Sequence, residues 1–226
     1  MPAETYLIGI AGPSGAGKTY LATHLSATLH ASVLALDRYY RDLSHLPVEE
    51  RARINFDAPE ALDHDLIVEQ VASLRNKETV YLPVYDFATH TRTRGTEVLQ
   101  PADVVIVEGL FTLHWPSLRE LLRTKVFVDM NDEACLTRRQ ARDVRERGRT
   151  PESVMEQYAG IVAPMAQRYV RPSIVYADVV VSGTGSIADG VSRVLVHYER
   201  QISNTRAHHS AGPTQRKALP VITRNK

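Results

Sequence analysis

The sequence of 226 residues is poor in several features that define other classes of protein. It has 1 cysteine, Cys135, so no intramolecular disulfide can form, which fits a reducing compartment. Its apolar runs are short because Glu108 and Asp129 interrupt or end the longest ones, and the sequence does not start with a basic segment followed by an apolar stretch and a cleavage site. We therefore expect a soluble cytoplasmic protein with no membrane partner.

The sequence also lacks an excess of charge of either sign. It has 27 basic and 26 acidic residues, a net charge of +1, so no global field draws it to DNA, RNA or anionic lipid. We expect no nucleic-acid partner, and any polyanion must be bound locally. The length fits a single α/β domain, given about 100 to 200 residues for each domain.

A glycine-rich segment near the start carries the clearest motif. The eight residues that match G-x-x-x-x-G-K-[ST] are Gly12, Pro13, Ser14, Gly15, Ala16, Gly17, Lys18 and Thr19. In this pattern backbone N–H groups surround phosphate oxygens, the lysine reaches the β- and γ-phosphates, and the hydroxyl can ligate Mg²⁺. The G-x-G-x-x-G spacing of dinucleotide-binding folds is absent. The motif predicts a site for a nucleoside triphosphate.

Short apolar, β-branched runs alternate with helical patterns along the chain. The runs are Tyr6–Ala11, Ser32–Leu36, Val104–Val107, Val126–Val128 and Val179–Val181. Such runs predict a parallel sheet with helices on both faces, the fold of the P-loop NTPases. Ligands of these sheets bind beyond the carboxyl ends of the strands, which directs attention to Asp37, Glu108 and Asp129.

Two further segments interrupt or end this alternation. Residues 79–101 have the pattern of an inserted β-hairpin. A last helix is expected to begin at Ser186, and its apolar periodicity stops after Gln201. We therefore place one domain at residues 1–201 and expect the basic tail, residues 202–226, to be mostly disordered.

Two carboxylates at strand ends suggest how a bound nucleotide could take part in phosphoryl transfer. Glu108 ends the third run and suits Mg²⁺, directly or through water; Thr19, Glu108 and Asp37 are the candidate metal ligands. Asp37 ends the second run, where a carboxylate could accept the proton of an attacking hydroxyl. A helix-capping role for Asp37 is an equally good interpretation of that position alone.

A run of arginines follows the fourth apolar run. It comprises Arg138, Arg139, Arg142, Arg145, Arg147 and Arg149. Many such runs are simply solvated faces of helices. Here Gly148 should end the helix close to the last of them, which favours a lid, residues 138–150, whose arginines reach transferring phosphates and exclude water.

Taken together, these segments resemble the uridine-cytidine kinase family. The motifs that carry the resemblance are Asp37-Arg38-Tyr39-Tyr40, Asn55-Phe56-Asp57-Ala58-Pro59, Pro83-Val84-Tyr85-Asp86-Phe87 with His90 and Arg92, Glu108-Gly109, and Arg139 to Arg149 followed by Gln157-Tyr158. The similarity runs from about Tyr6 to Gly183. It implies phosphorylation of the 5′-hydroxyl of uridine or cytidine by ATP or GTP, with Mg²⁺, in a chain that assembles as a homotetramer.

The resemblance also implies roles for individual residues. Asp37 would be the base on the 5′-hydroxyl, and Asp57 with Arg139 would hold the ribose hydroxyls. The residues expected to surround the pyrimidine are Tyr40, Tyr85, Phe87, His90, Arg149 and Gln157. Arg142 and Arg147 would lie near the phosphates and join Lys18 and Asp37 in catalysis. Without the resemblance, the hairpin aromatics, His90 and Gln157 have plainer interpretations as strand, turn and surface residues.

Two positions depart from the family pattern, and other functions compete. Ala58 stands where many relatives have His, and Arg38 where a small polar residue is common, so we expect the rim of the pocket to differ there. Phosphoribulokinase and pantothenate kinase share the phosphate loop and the fold. A nucleotide-dependent switch is a rival from another class, although Asn76-Lys77-Glu78-Thr79 does not match the guanine-reading Asn-Lys-x-Asp.

Overall fold

A computed structural model describes residues 4–51 and 53–210, and a five-stranded parallel sheet lies at its centre. The strands of this sheet are β1 (Tyr6–Ala11), β2 (Ser32–Ala35), β5 (Val104–Glu108), β6 (Thr124–Asp129) and β7 (Val179–Ser182). Their order is β2-β5-β1-β6-β7, and every neighbouring pair is parallel. Each predicted run forms one strand, except that Leu36 of the second run lies just beyond β2. The predicted P-loop fold is confirmed.

Helices cover both faces of the sheet. They are α1 (Lys18–Leu29), α2 (Val48–Arg51), α3 (His64–Arg75), α4 (Pro116–Arg119), α5 (Asp132–Arg147), α6 (Pro151–Gln157), α7 (Ala163–Met165) and α8 (Ile187–Ser210). A helical path continues from α6 through α7 to Tyr176, with π-helical turns at Tyr158–Val162 and Ala166–Val170 on either side of α7. These turns flank Pro164, which has no N–H to donate within a helix.

The alternation of side chains in the central strands divides the core into two layers. In β1, Leu7 faces a layer that includes Ile67 of α3, while Ile8 faces the opposite layer, which includes Leu21 of α1. All six residues of β1 and all five of β5 are buried. Both faces of the sheet therefore exclude water, which is why these strands are apolar up to Glu108 at the end of β5.

The predicted insertion is an antiparallel hairpin of β3 (Val80–Asp86) and β4 (Thr91–Leu99). Arg92 of β4 fixes it to the segment after β2: its guanidinium donates to the carbonyl oxygens of Tyr40 (2.8 Å) and Tyr39 (3.0 Å) and to the Asp63 carboxylate (3.2 Å). Arg38 forms an ion pair with Glu97 of β4 at 2.7 Å. The hairpin is thus tied directly to the segment that carries Asp37.

The last helix is longer than the sequence pattern predicted. Helix α8 continues to Ser210, so the expectation of disorder is wrong for residues 202–210. Val191, Leu195, Tyr198 and Ile202 of this helix pack on the core, and the helical backbone extends beyond the last of these contacts. The rest of the predicted tail, residues 211–226, lies outside the described residues. Across the described part of the chain, no helix is long and apolar enough to span a membrane.

The start of the predicted lid is the second half of α5. Gly148 ends this helix in the left-handed region at φ 62°, a conformation that costs glycine little, as the sequence predicted. Thr150 then begins α6 by accepting a hydrogen bond from the Ser153 N–H at 3.2 Å. The lid is therefore a helix end, a glycine turn and a new helix start.

Candidate active site

The phosphate loop joins β1 to α1, and its three glycines have positive φ values. Gly12, Gly15 and Gly17 have φ of 148°, 88° and 103°. A Cβ atom at Gly12 would lie 2.4 Å from the Val128 carbonyl oxygen, and one at Gly15 would lie 2.5 Å from the Cys135 carbonyl oxygen. Conformation and space both require glycine at positions 12 and 15, because side chains would displace backbone.

A glycine outside the motif also shapes this loop. Gly183 follows β7, and a Cβ atom there would lie 2.5 Å from the carbonyl oxygen of Ala16. The end of β7 thus packs directly against the phosphate loop from a distant part of the sequence. The shape of the loop therefore requires glycine at position 183, as it does at the glycine positions of the motif.

Lys18 is held inside the loop by a backbone carbonyl group. Its ammonium donates to the carbonyl oxygen of Pro13 at 3.0 Å. Desolvation lowers the pKa of Lys18, while the negative charges of Glu108 and Asp37 oppose that shift. These interactions place two carboxylates near the lysine, one at the end of β5 and one directly after β2.

Glu108 and Thr19 form an oxygen-rich pair next to the loop. The Thr19 hydroxyl donates to Oε1 of Glu108 at 2.9 Å, and only 6% of Glu108 is exposed. Burial raises the pKa of the Glu108 carboxyl, and the positive charge of Lys18 opposes the shift. Hydroxyl and carboxylate oxygens are the ligands that Mg²⁺ prefers, so these residues fit a magnesium ion.

Asp37 lies in a 3₁₀ turn, Leu36–Tyr39, that continues directly from β2. Its side chain is exposed in the same cleft as Lys18 and Glu108. Tyr40 follows this turn and is buried; burial raises its pKa well above the usual value, and the charges of Asp37 and Asp57 add to the shift. Both carboxylates therefore lie near the Tyr40 ring.

Five aromatic rings gather where the hairpin meets this segment. The Tyr40 ring centre lies 5.5 Å from that of Phe56 and 5.3 Å from that of Tyr85, and Tyr85 lies 5.2 Å from Phe87. Phe56 and His90 stack at 4.5 Å with 17° between their planes. We call these five residues the aromatic pocket, and all of them line the cleft.

Two residues of the aromatic pocket are unusual. The Tyr85 hydroxyl is buried, and no hydrogen-bond partner for it exists among residues 4–51 and 53–210. Burial raises the pKa of Tyr85 to about 12. His90 occupies the turn between β3 and β4 at a φ of 55°, a conformation in which His is more common than most residues. A buried hydroxyl is normally satisfied, so that of Tyr85 is available to a ligand.

Arg139 connects the lid helix to both the phosphate loop and the acceptor side. Only 6% of Arg139 is exposed. It donates to the Ser14 hydroxyl at 2.9 Å and to the Gln157 side-chain oxygen at 3.2 Å, and it lies 3.8 Å from the Asp57 carboxylate. Arg149 donates to the same oxygen of Gln157. Arg139 and Asp57, which the resemblance assigns to the ribose hydroxyls, thus lie side by side.

One cleft of about 1650 Å³ brings nearly all of the predicted residues together. Those that line it are Ser14, Gly15, Ala16, Gly17, Lys18, Thr19, Asp37, Tyr40, Asp57, Tyr85, Phe87, His90, Glu108, Arg139, Arg142, Arg149 and Gln157. Gly12 and Pro13 do not line it, although the Pro13 carbonyl oxygen accepts from Lys18, and the side chain of Arg147 lies outside the described part of the structure. Phosphate loop, carboxylates, aromatic pocket and lid therefore form one site.

Sequence reasoning assigned no site role to three residues that organise this cleft. Asp143 is completely buried beneath the lid arginines, Phe56 stacks on His90, and Arg92 fastens the hairpin. In the sequence, Asp143 is one acidic residue in a charged run, and nothing there distinguishes it from an exposed acid. Phe56 and Arg92 belong to the motifs that carry the family resemblance, and this was the one sequence feature that could have marked them as site residues.

These features define a kinase that uses a P-loop to bind its phosphoryl donor. A model of the phosphoribulokinase/uridine kinase family matches residues 7–188. The chain belongs to that family. The comparisons thereby confirm the resemblance given above at the level of the family.

Individual relatives agree with the family match. The chain is 43% identical over 187 residues to a uridine kinase of Staphylococcus haemolyticus, covering 81% of this chain and 90% of that one. It is 43% identical over 202 residues to a uridine kinase of Chloroflexus aurantiacus, covering 88% and 97%. The solved phosphoribulokinase of Rhodobacter spheroides superposes with a TM-score of 0.60 at 13% identity, over 80% of this chain and 70% of that one, which supports the fold alone.

Proposed function

We propose that this chain is a uridine kinase that transfers the γ-phosphoryl group of ATP, or of GTP, to the 5′-hydroxyl of uridine or cytidine. The observation that carries the proposal is the position of the aromatic pocket. It lies in the same cleft as the phosphate loop and Asp37, as a base-bearing acceptor requires. The similarity to the two named uridine kinases supports the same substrate class.

The donor binds on the phosphate-loop side of the cleft. Backbone N–H groups of residues 12–19 and the start of α1 surround the phosphates, and Lys18 exchanges its bond to the Pro13 carbonyl for one to a phosphate oxygen. Thr19 and Glu108, with Asp37 nearby, would hold Mg²⁺. When bound, that ion neutralises charge on the phosphate oxygens. Glu108 is ionised more easily once a cation adjoins it.

The nucleoside binds between the hairpin and the lid. The carboxylate of Asp57 accepts hydrogen bonds from the ribose hydroxyls, and Arg139 supports the same sugar from the lid side. The pyrimidine packs among Tyr40, Tyr85 and Phe87. The groups that read its polar edge are the Tyr85 hydroxyl, His90, Arg149 and Gln157.

Transfer then requires one proton acceptor and several positive charges. Asp37 accepts the proton of the 5′-hydroxyl as that oxygen forms a bond to the γ-phosphorus, and the bond from this phosphorus to the β-phosphate oxygen breaks. Lys18, Arg142 and Arg147 stabilise the charge that is spread over the transferring group. Closing of the lid over the cleft excludes water and so limits hydrolysis of the donor.

A transfer assay with a panel of acceptors tests this function. Purified protein is given γ-labelled ATP or GTP with each of uridine, cytidine, adenosine, guanosine, ribulose 5-phosphate and pantothenate. The expected labelled products are UMP and CMP. Label on ribulose bisphosphate or phosphopantothenate would replace the proposed function by another kinase of the same fold, and release of labelled phosphate alone would remove acceptor transfer altogether.

The proposal includes the cytoplasmic homotetramer that the resemblance implied. Light scattering coupled to size-exclusion chromatography tests the assembly, because a chain of 25.2 kDa would form a particle of roughly four times that mass. A particle of 25.2 kDa at assay concentration would contradict the tetramer. It would leave the transfer reaction untouched, since all the residues assigned above belong to a single chain.

A further inference from the structure

Asp143 is the point at which three arginines of the cleft meet. Its carboxylate is completely buried on α5. Oδ1 accepts from Nε of Arg142 at 2.9 Å and lies 2.8 Å from its Nη2, while Oδ2 lies 3.5 Å from Nε of Arg139 and 3.7 Å from Nη1 of Arg149. All three arginines line the cleft, and Asp143 itself does not.

The backbone of Asp143 serves the same region. Its carbonyl oxygen accepts from the N–H of Gly148 and, at 3.2 Å, from the N–H of Arg149. One residue therefore holds the end of α5 through its main chain and arginines from both sides of the glycine turn through its side chain. A displacement of its carboxylate would therefore move arginine side chains on both sides of that turn.

Charge explains why one buried carboxylate matters here. A buried carboxylate is costly unless it is paired, and three guanidinium groups gathered around one point would repel one another without an anion between them. A carboxylate also accepts from guanidinium in a fixed fork geometry, which fixes direction as well as distance. Arg142 contacts Asp143 through one oxygen only: Nε donates to Oδ1, and Nη2 lies 2.8 Å from the same oxygen.

We propose that Asp143 is a positioning residue of the phosphotransfer reaction, which sets the directions of Arg139, Arg142 and Arg149 without touching substrate. This inference rests on the proposed function, because the three arginines act there on the phosphates and the nucleoside. Through Arg142 it controls turnover. Through Arg139 and Arg149 it controls the affinity for the nucleoside.

A double-mutant cycle tests whether Asp143 acts through Arg142. The variants are Asp143→Asn, Arg142→Ala and both together, each assayed at a temperature where circular dichroism shows it fully folded. We expect Asp143→Asn to lower kcat at least tenfold and to raise the KM for uridine at least fivefold. In the double variant kcat should fall no further than in the worse single variant. Losses that multiply would overturn the proposal, because they would show independent action.

Two further variants separate positioning from simple stability. Glu156→Gln also removes one carboxylate, but from an exposed position on α6, and should leave kcat and both KM values within twofold. Asp143→Glu keeps the charge and displaces the carboxylate by one methylene, so its kcat should lie between those of the wild type and Asp143→Asn. Unaltered kinetics in a folded but less stable Asp143→Asn would show a purely structural role and overturn the proposal.

A measurement on the wild-type chain tests the proposal even if the Asp143 variants do not fold or the enzyme phosphorylates an unexpected acceptor. In ¹⁵N-arginine-labelled protein, the Nε–H signals of Arg142 and Arg139 should exchange at least tenfold more slowly than that of the exposed Arg145. Equal exchange rates would overturn the proposal without any assay of activity. If the wild type phosphorylates no nucleoside, the proposed function fails, and these exchange rates alone decide whether Asp143 orders the arginines.

Discussion

Replacing Tyr85 by Phe should move stability and nucleoside affinity in opposite directions. The hydroxyl of Tyr85 is buried and has no hydrogen-bond partner within the described residues, while its ring packs against Tyr40 and Phe87. Phe keeps that ring and removes one oxygen. Because burial raises the pKa of Tyr85 to about 12, the hydroxyl is neutral at any working pH and the substitution changes no charge.

The sizes of the two effects follow from the surroundings of that oxygen. A buried hydroxyl without a partner costs about 1–3 kcal/mol in protein mutants, and Tyr85 keeps 8% of its surface exposed, so we expect the low end, about 1 kcal/mol of added stability. For a domain of this length, that raises Tm by about 2–4 °C. Losing one hydrogen bond to the pyrimidine costs about 0.5–1.5 kcal/mol, roughly a two- to thirteenfold rise in the KM for uridine.

The assay combines thermal unfolding of the ligand-free protein with steady-state kinetics for uridine and for ATP. Tyr39→Phe is the matched control, since the Tyr39 hydroxyl is also buried but donates to the Gln70 side chain at 2.7 Å. That variant should lose about 0.5–1.5 kcal/mol of stability and keep its KM for uridine. A Tyr85→Phe protein that is less stable than the wild type, or that binds uridine equally well, would refute the reasoning.

Three further substitutions test other parts of the site. Asp37→Asn should lower kcat by about 10²- to 10⁴-fold, the usual contribution of a general base, while ATP still protects the protein against thermal unfolding. His90→Ala should change the ratios of kcat/KM among uridine, cytidine and purine nucleosides more than the KM for ATP. Glu108→Gln should lower kcat and raise the Tm of the ligand-free protein at pH 7. The folded state binds the Glu108 proton more tightly than the unfolded state does, so ionised Glu108 opposes folding. The gain in Tm should be largest above the folded pKa of Glu108, decrease as the pH falls below it, and vanish only below the pKa of the unfolded state.

Each of these expectations has an outcome that contradicts it. Unchanged turnover in Asp37→Asn would remove Asp37 from the proton transfer. Identical acceptor preferences before and after His90→Ala would separate the hairpin turn from recognition of the base. A Tm difference between Glu108→Gln and the wild type that stays constant from pH 4 to pH 8 would mean that ionisation of Glu108 is not its cause.

The parts of the fold that could be predicted are those with local causes. A parallel strand that is buried on both faces is apolar over nearly all of its length, and the glycine motif follows β1 directly. The sequence therefore predicts β1, β5 and the phosphate loop. Gly148 likewise marks the end of α5, because left-handed backbone favours glycine. Such features depend on a few neighbouring residues.

The features that could not be predicted depend on residues that meet only in the folded chain. The sequence around Asp143 would look the same whether its side chain were exposed to solvent or buried among arginines. The hydrophobic periodicity of the helix does not distinguish these two environments. The stacking of Phe56 on His90 requires the hairpin to fold back over the segment after β2. Helix α8 runs on to Ser210 although apolar periodicity stops earlier, since helical backbone can continue past the residues that pack on the core.

Because Gly183 approaches Ala16 so closely, the eight-residue motif alone is not sufficient to predict a functional phosphate loop. A related chain could keep every letter of that motif, acquire alanine at position 183, and press a methyl group into the back of the loop. A motif search would still score it as a nucleotide-binding protein, although its anion cradle would be deformed. Inactive descendants of this fold should therefore be sought at the end of the last strand as well as at the lysine, and a transplanted loop will need that strand end to accompany it.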